Sequence, residues 1–354
     1  MIPLKNLFCR TLILQFFLLC ISCPAYSALP GHVRVRILER HNPDTLQIKH
    51  IENTGIIVDI DKNSVFPVHI SPSENYQIML PGTEIKRIYA GSIRIDKPGK
   101  QLRIINTVPF EEYVKSVVLS EMGLKLSEAM QAQSILTRTW AATHLRPEKE
   151  YDFNHLTNSQ VYKGIFSTVA TKDNLLLPAF GKVLTYDRKL IEVFYHAECA
   201  ERGFSPYEIW GSNTFKYYKR DKYPKVIQER VSHWRATLPV EKVNHIFDTS
   251  IKGKKNTTYI KITQQGKQGI AVNSHWYGID TFRIKINRVL GWNKLRSNSF
   301  TLKQEDEYLI FEGSGFGHLV GMCQKNAVDL AKLGWSYKKI LSIFYPGAEI
   351  TNRY

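Results

Sequence analysis

Apolar residues fall at every second position through much of the first third of the chain. Residues 33–38, 46–51, 55–60, 85–89, 93–95 and 102–105 carry this alternation, and Asn-Pro-Asp, Pro-Gly and Lys-Pro-Gly punctuate it. A side-chain period of two belongs to strands with one buried face. Residues 28–106 are therefore expected to form a β-rich subdomain. The period changes at Pro109. Proline suits the first turn of a helix, Glu111 and Glu112 suit its positive end, and Tyr113, Val114, Val117, Val118 and Met122 recur at helical spacing. A turn at Gly123 follows, Ser127 is placed to cap with Glu128 in the first turn, and residues 129–145 read as a second helix ended before Pro147. Ala129, Ala132, Leu136 and Trp140 line one face of it, and small residues elsewhere predict burial on several sides. Beyond it, strand-like runs occur at 183–186, 190–195, 235–238, 258–263, 282–286 and 308–311, with helices expected over 320–333 and 336–344. The pattern predicts an α+β fold, with the β-rich N-terminal subdomain packed on a mixed α+β body over 107–354.

The first 27 residues stand apart. Lys5 and Arg10 precede an apolar run from Leu12 to Cys23, and Ala25-Tyr26-Ser27 offers small residues for cleavage, the plan of a secretory signal peptide. A run of about twelve apolar residues is short of the roughly 20 that span a bilayer. Processing as a lipoprotein at Cys23 is the alternative. The expected location is outside the cytoplasmic membrane, in the periplasm or on the cell-wall side, with no membrane-spanning segment after cleavage. Of five cysteines only Cys199 and Cys323 lie beyond the leader, which allows one disulfide or two free thiols. An apolar fraction of 43% with 12% aromatics excludes a disordered chain.

The formal charge is +16, or +14 without Lys5 and Arg10, and such a balance calls for an anionic partner. Nucleic acid is the usual one, but export removes the chain from most of it. The carboxylates of the cell wall fit better.

Glu121 is the residue that asks for a chemical explanation. It stands four residues after Val117 and eight after Tyr113, on the stripe that the first helix should bury. Burial raises a carboxyl pKa, as a general acid working near neutral pH requires. A glutamate that reaches solvent at the helix end, or pairs with Arg138, is the structural alternative.

Four blocks then follow in order: residues 106–142 around Glu121-Met122, Ser159-Gln160-Val161-Tyr162-Lys163-Gly164, Tyr195-His196-Ala197-Glu198-Cys199, and the glycine-rich 313–324 with Gly334-Trp335-Ser336-Tyr337 and Tyr345-Pro346-Gly347 behind it. Together they resemble the sporulation stage II protein D family. The glycine block lacks the Gly-Lys-Ser/Thr ending of a phosphate loop, and its glycines are expected to let backbone approach a sugar chain or turn beside His318. The resemblance implies a peptidoglycan lytic transglycosylase with Glu121 as the catalytic acid. It also implies Gln133, Arg138, Tyr162, His196, His318 and Gln324 as substrate-binding residues on glycan strands, which would be stripped of peptides. Some members hold a metal through Cys and His, but Asn158 and Ser159 stand at two of those places, so neither metal nor cofactor is expected. Other members are described as amidase enhancers, which makes a non-catalytic wall protein the rival, with a wall amidase or division proteins as partners and no nucleic acid in the cell. Glu198 and Glu201 are the next carboxyls to consider.

Overall fold

The computed structural model describes residues 28–51, 57–71, 75–155, 159–166, 174–212, 215–218, 231–247, 258–273 and 275–353. The expected signal peptide and Asn158 lie outside them. Strands β1 (His32–Ile37), β2 (Leu46–His50), β3 (Ile57–Ile60), β4 (Val68–Ile70), β5 (Tyr76–Met79), β6 (Lys86–Tyr89), β7 (Ser92–Asp96) and β8 (Arg103–Pro109) make up the N-terminal part. Helices α1 (Phe110–Met122) and α2 (Ser127–Thr143) follow, then β9 (Phe153–Asn154). One sheet has the order β4-β7-β8-β1-β9 and a second the order β3-β2-β5-β6. Alternation places Val33, Val35 and Ile37 of β1 inward, where they share a core with Tyr113, Val114 and Val117 of α1. The chain passes from β8 into α1 through Pro109, whose φ of −52° and ψ of 137° suit a residue fixed in φ and lacking an N–H to satisfy. The subdomain boundary expected at 106/107 thus falls inside β8, and the two parts share one apolar cluster.

A second core surrounds α2, whose residues from Ala129 to Thr139 are all buried. Around it lie β10 (Lys182–Tyr186), β11 (Lys189–Leu190), β12 (Tyr195–His196), β19 (Met322–Cys323), α6 (Gln324–Lys332), α7 (Tyr337–Phe344) and β20 (Glu349–Asn352). Between β12 and β19 the chain builds a third cluster from α3 (Pro206–Trp210), β13 (His233–Pro239), α4 (Val240–Phe247), β14 (Tyr259–Gln264), β15 (Lys267–Val272), β16 (His275–Gly278), α5 (Ile279–Leu290), β17 (Phe300–Glu305) and β18 (Tyr308–Ser314). This insertion leaves and returns at one place, because β12 and β19 pair in parallel with Tyr195 opposite Met322 and His196 opposite Cys323. A disulfide joins Cys199 to Cys323 there, with Cα atoms 5.6 Å apart, which settles the alternative left open by the sequence.

Three expected elements differ, the first being the run 190–195, of which only Leu190 and Tyr195 lie in strands, β11 and β12. Residues 282–286 are not a strand but part of α5, whose buried face uses Ile279, Phe282 and Ile286. The helix expected from 320 begins only at Gln324, since Leu319 and Gly321 have φ of 65° and 73°, outside the helical region. No described helix is long and apolar enough to cross a membrane.

Candidate active site around Glu121

Tyr113 and Val117, on the α1 face that carries Glu121, are fully buried, and the Glu121 side chain is half-buried at the end of that stripe. The Val161 N–H donates to its Oε1 at 2.9 Å. Burial pushes the Glu121 pKa up from its ordinary 4.5, opposed by that N–H, the Tyr195 hydroxyl, the Lys163 ammonium and the Gln324 amide. Desolvation wins, so the carboxyl holds its proton to higher pH than a solvated glutamate.

The neighbours reach Glu121 from three parts of the fold. Val161 and Lys163 lie on the stretch that Tyr162 pins by donating its hydroxyl to Asn106 Oδ1 at 2.7 Å. Ser116 holds the same stretch by donating to the Gly164 carbonyl at 2.5 Å. Gly164 has a φ of +81°, and a Cβ there would sit 2.1 Å from the Ile88 carbonyl oxygen, so no other residue fits. Gln160 accepts from the Tyr113 hydroxyl at 3.0 Å and also bears on the Tyr195 phenol. Gln324, the first residue of α6, donates to Gln133 Oε1 at 3.4 Å. Gln133, fully buried on α2, thereby orients Gln324 rather than facing solvent itself.

Of the sequence candidates, Glu121, Gln133 and Gln324 come together, and the others are engaged elsewhere. Arg138 is 1% exposed, and its Nε and one terminal nitrogen donate to the two Glu111 oxygens at 2.7 and 2.6 Å. Its remaining nitrogen reaches the carbonyls of Ala179 and Lys182 at 3.0 and 2.8 Å. Its partner is thus Glu111, not Glu121. Tyr162 is buried beside Tyr89 and Tyr113. Adjacent strand residues point to opposite sides, so with Tyr195 at Glu121 the His196 ring turns to the other side, 5.9 Å from that of His318. His196 Nδ1 lies 3.2 Å from the Val320 carbonyl, and burial lowers its pKa to about 3. The Val320 N–H donates to His318 Nδ1 at 3.1 Å, and burial lowers His318 to about 4, with Asp280 opposing. Both rings are neutral at neutral pH.

Tyr195, Gln160 and Lys163 escaped the sequence reading of the site, although each lies in a block that it quoted. Gly315, Gly317 and Gly321 of the fourth block turn the backbone around His318 at positive φ, and they also permit a close approach within the chain. A Cβ on Gly315 would meet Cys199 backbone at 2.7 Å, one on Gly317 the His196 Cβ at 3.1 Å, and one on Gly321 the Phe194 carbonyl oxygen at 2.1 Å. They let the 315–321 segment lie against 194–200 of the same chain.

The ligand atoms of His196, Cys199 and Cys323 lie within 4.8 Å of one another. The two sulfurs are bonded to each other, leaving one imidazole where a structural zinc needs four ligands, so these residues do not fit a metal. Glu198 accepts from the Ser232 hydroxyl and pairs with Arg296 at 3.4 Å, while Glu201 is exposed. A cavity of about 760 Å³ lies on the insertion, lined by Arg202, Trp234, Lys261 and Phe300 among others, apart from the Glu121 cluster.

A family model described as stage II sporulation protein, SpoIID, matches residues 98–186, the stretch that holds Glu121 and Val161. Stage II sporulation protein D of Bacillus amyloliquefaciens is 26% identical over 267 residues, 70% of this chain and 75% of the relative. Over residues 98–186 the chain is similar to the SpoIID family. A relative from Brachyspira hyodysenteriae, described only as an uncharacterized protein, is 26% identical over 269 residues, 75% of this chain and 72% of its own. The amidase enhancer of Bacillus subtilis is 25% identical over 288 residues, 68% of this chain but 40% of the relative. The family match ends before Tyr195 and Gln324, so half of the cluster around Glu121 lies beyond it.

Proposed function

We propose that this chain acts on the cell wall as an exported lytic transglycosylase, cutting peptidoglycan between N-acetylmuramic acid and N-acetylglucosamine during wall remodelling in division or septation. The observation that carries this reading is the half-buried carboxyl of Glu121, whose pKa burial raises while an N–H, a phenol and an amide fix its orientation. Protonated Glu121 donates its proton to the glycosidic oxygen as the bond to C1 breaks. The resulting carboxylate then takes the proton of the muramic C6 hydroxyl as that oxygen bonds to C1. The product is a 1,6-anhydro end, no water is consumed, and one carboxyl suffices where hydrolysis usually needs two. The Val161 N–H, Tyr195 and Gln324 stabilise the carboxylate between the two steps.

The test is product analysis by mass spectrometry on denuded glycan strands. Wild type is expected to yield anhydromuramyl ends, and Glu121→Gln to lose at least about 10²-fold in rate while still binding glycan. A Gln variant that cuts at near the wild-type rate would refute the assignment. The amidase enhancer among the relatives favours a second reading, a non-catalytic wall protein that stimulates an amidase. Absence of anhydro products together with faster stem-peptide release by an added wall amidase would establish it.

A further inference from the structure

We infer that Lys163 binds the free D-lactyl carboxylate of the muramic residue whose bond is cut, and so selects strands from which the peptide stem has been removed. This rests on the transglycosylase reading and adds to it the group that recognises the substrate.

Lys163 is exposed on a stretch that is otherwise held fast. On one side Tyr162 is buried and bonded to Asn106. On the other, Gly164 is gripped by Ser116, and the Ile165 N–H donates to the Ile88 carbonyl at 2.7 Å. Two residues earlier in the chain, the Val161 N–H binds Glu121 itself. The ammonium is therefore tethered beside the carboxyl, and no described carboxylate forms an ion pair with it.

That placement works against Glu121 as an acid. A nearby cation favours the ionised carboxylate, and the Lys163 charge does lower the Glu121 pKa, against the burial that raises it. An incoming anion resolves the conflict by neutralising Lys163 when substrate binds. The muramic ring supplies one, since it carries the lactyl ether on C3 of the same ring whose C1 reacts. While a peptide is attached, the lactyl carbonyl is a neutral amide. Once the peptide is gone it is a carboxylate, able to take a charge-assisted hydrogen bond from an ammonium. Recognition and activation then coincide, because the carboxylate that Lys163 binds also returns proton affinity to Glu121.

The test uses the full mature chain and one denuded glycan preparation in two forms, with native carboxylates or with those groups converted to methylamides. Wild type is expected to cleave native strands with a kcat/KM about 10-fold above that for amidated strands, the scale of a hydrogen bond to a charged group. Lys163→Ala should lose this preference, and Lys163→Arg should keep most of it. If Lys163 acts only by tuning the Glu121 proton, Lys163→Ala changes both substrates by the same factor and shifts the pH profile, which overturns the inference. Wild type without a preference overturns it as well. Should wild type yield no anhydro product from either form, the transglycosylase reading fails instead. Sedimentation with the two forms then decides the Lys163 contact alone, equal binding by Glu121→Gln and by Glu121→Gln/Lys163→Ala on native strands counting against it.

Discussion

Glu111→Gln should destabilise the protein without touching its chemistry. The Arg138 side chain is 1% exposed and that of Glu111 23%, and the pair ties α1 to α2, while the other guanidinium nitrogen ties α2 to the carbonyls of Ala179 and Lys182. Removing one partner of a buried ion pair costs about 3–5 kcal/mol, because the other charge stays behind unmatched. Water reaches the Glu111 side, which places the cost at the low end, about 3 kcal/mol. For a chain of this size that corresponds to a fall in Tm of about 4 °C. Arg138→Met instead abandons carbonyls that the guanidinium satisfied, at about 1 kcal/mol each, and leaves Glu111 partly solvated. The double variant should be more stable than the sum of the two single losses by about 2 kcal/mol, since its members lose one shared interaction. Urea unfolding of the four proteins measures the cycle, and turnover of denuded glycan per folded molecule is measured beside it. If Glu111→Gln leaves stability within about 0.5 kcal/mol and turnover collapses, Arg138 is a substrate contact and the clamp is wrong.

Two further outcomes follow from the buried groups. Because burial raises the folded-state pKa of Glu121 above its ordinary 4.5, the folded state holds this proton more tightly than the unfolded one, and its stabilising contribution is complete below 4.5 and lost as pH rises to the folded value. Glu121→Gln should therefore gain in Tm relative to wild type as pH rises above 4.5, and a difference that is flat with pH would contradict the raised value. The Cys199–Cys323 disulfide closes a separation of 124 residues, and replacing both cysteines by Ala should cost about 2–5 kcal/mol in urea unfolding, a loss under about 1 kcal/mol showing that the β12–β19 junction holds without it.

The sequence made the N-terminal strands and the first two helices readable because each keeps one period long enough to recognise. Strands β9, β11, β12 and β19 have two residues apiece, too few to carry any period, and they exist because distant chain segments pair with them. Phe282-Arg283-Ile284-Lys285-Ile286 alternates like a strand, but the helix is decided by Ile279 and Phe282 sharing a buried face with Ile286, which a five-residue window does not contain. Glu121 was legible for the opposite reason, since a carboxylate on the Tyr113 and Val117 stripe is conspicuous within α1 alone. Arg138 came forward only through the resemblance and as a possible partner of Glu121, and what it meets is set by tertiary packing. The choice between Tyr195 and His196 was equally hidden, because which of two adjacent residues faces the acid depends on the pairing of β12 with β19.

That pairing carries more of the proposed chemistry than its size suggests. A parallel pair of two residues on each side is marginal by itself, and it joins segments separated by the whole insertion. What keeps it in register is covalent and steric: the disulfide that ties Cys323, in the last pair of the ladder, to Cys199, and glycines at 315 and 321 that bring backbone against backbone where a Cβ would collide. The same ribbon supplies Tyr195 on one strand and, directly after the other, Gln324. Both bear on Glu121. The acid on α1 therefore acquires its phenol and amide neighbours only when the chain ends of the insertion close on one another, and a fragment limited to residues 98–186 would carry the carboxyl and the Val161 N–H without them.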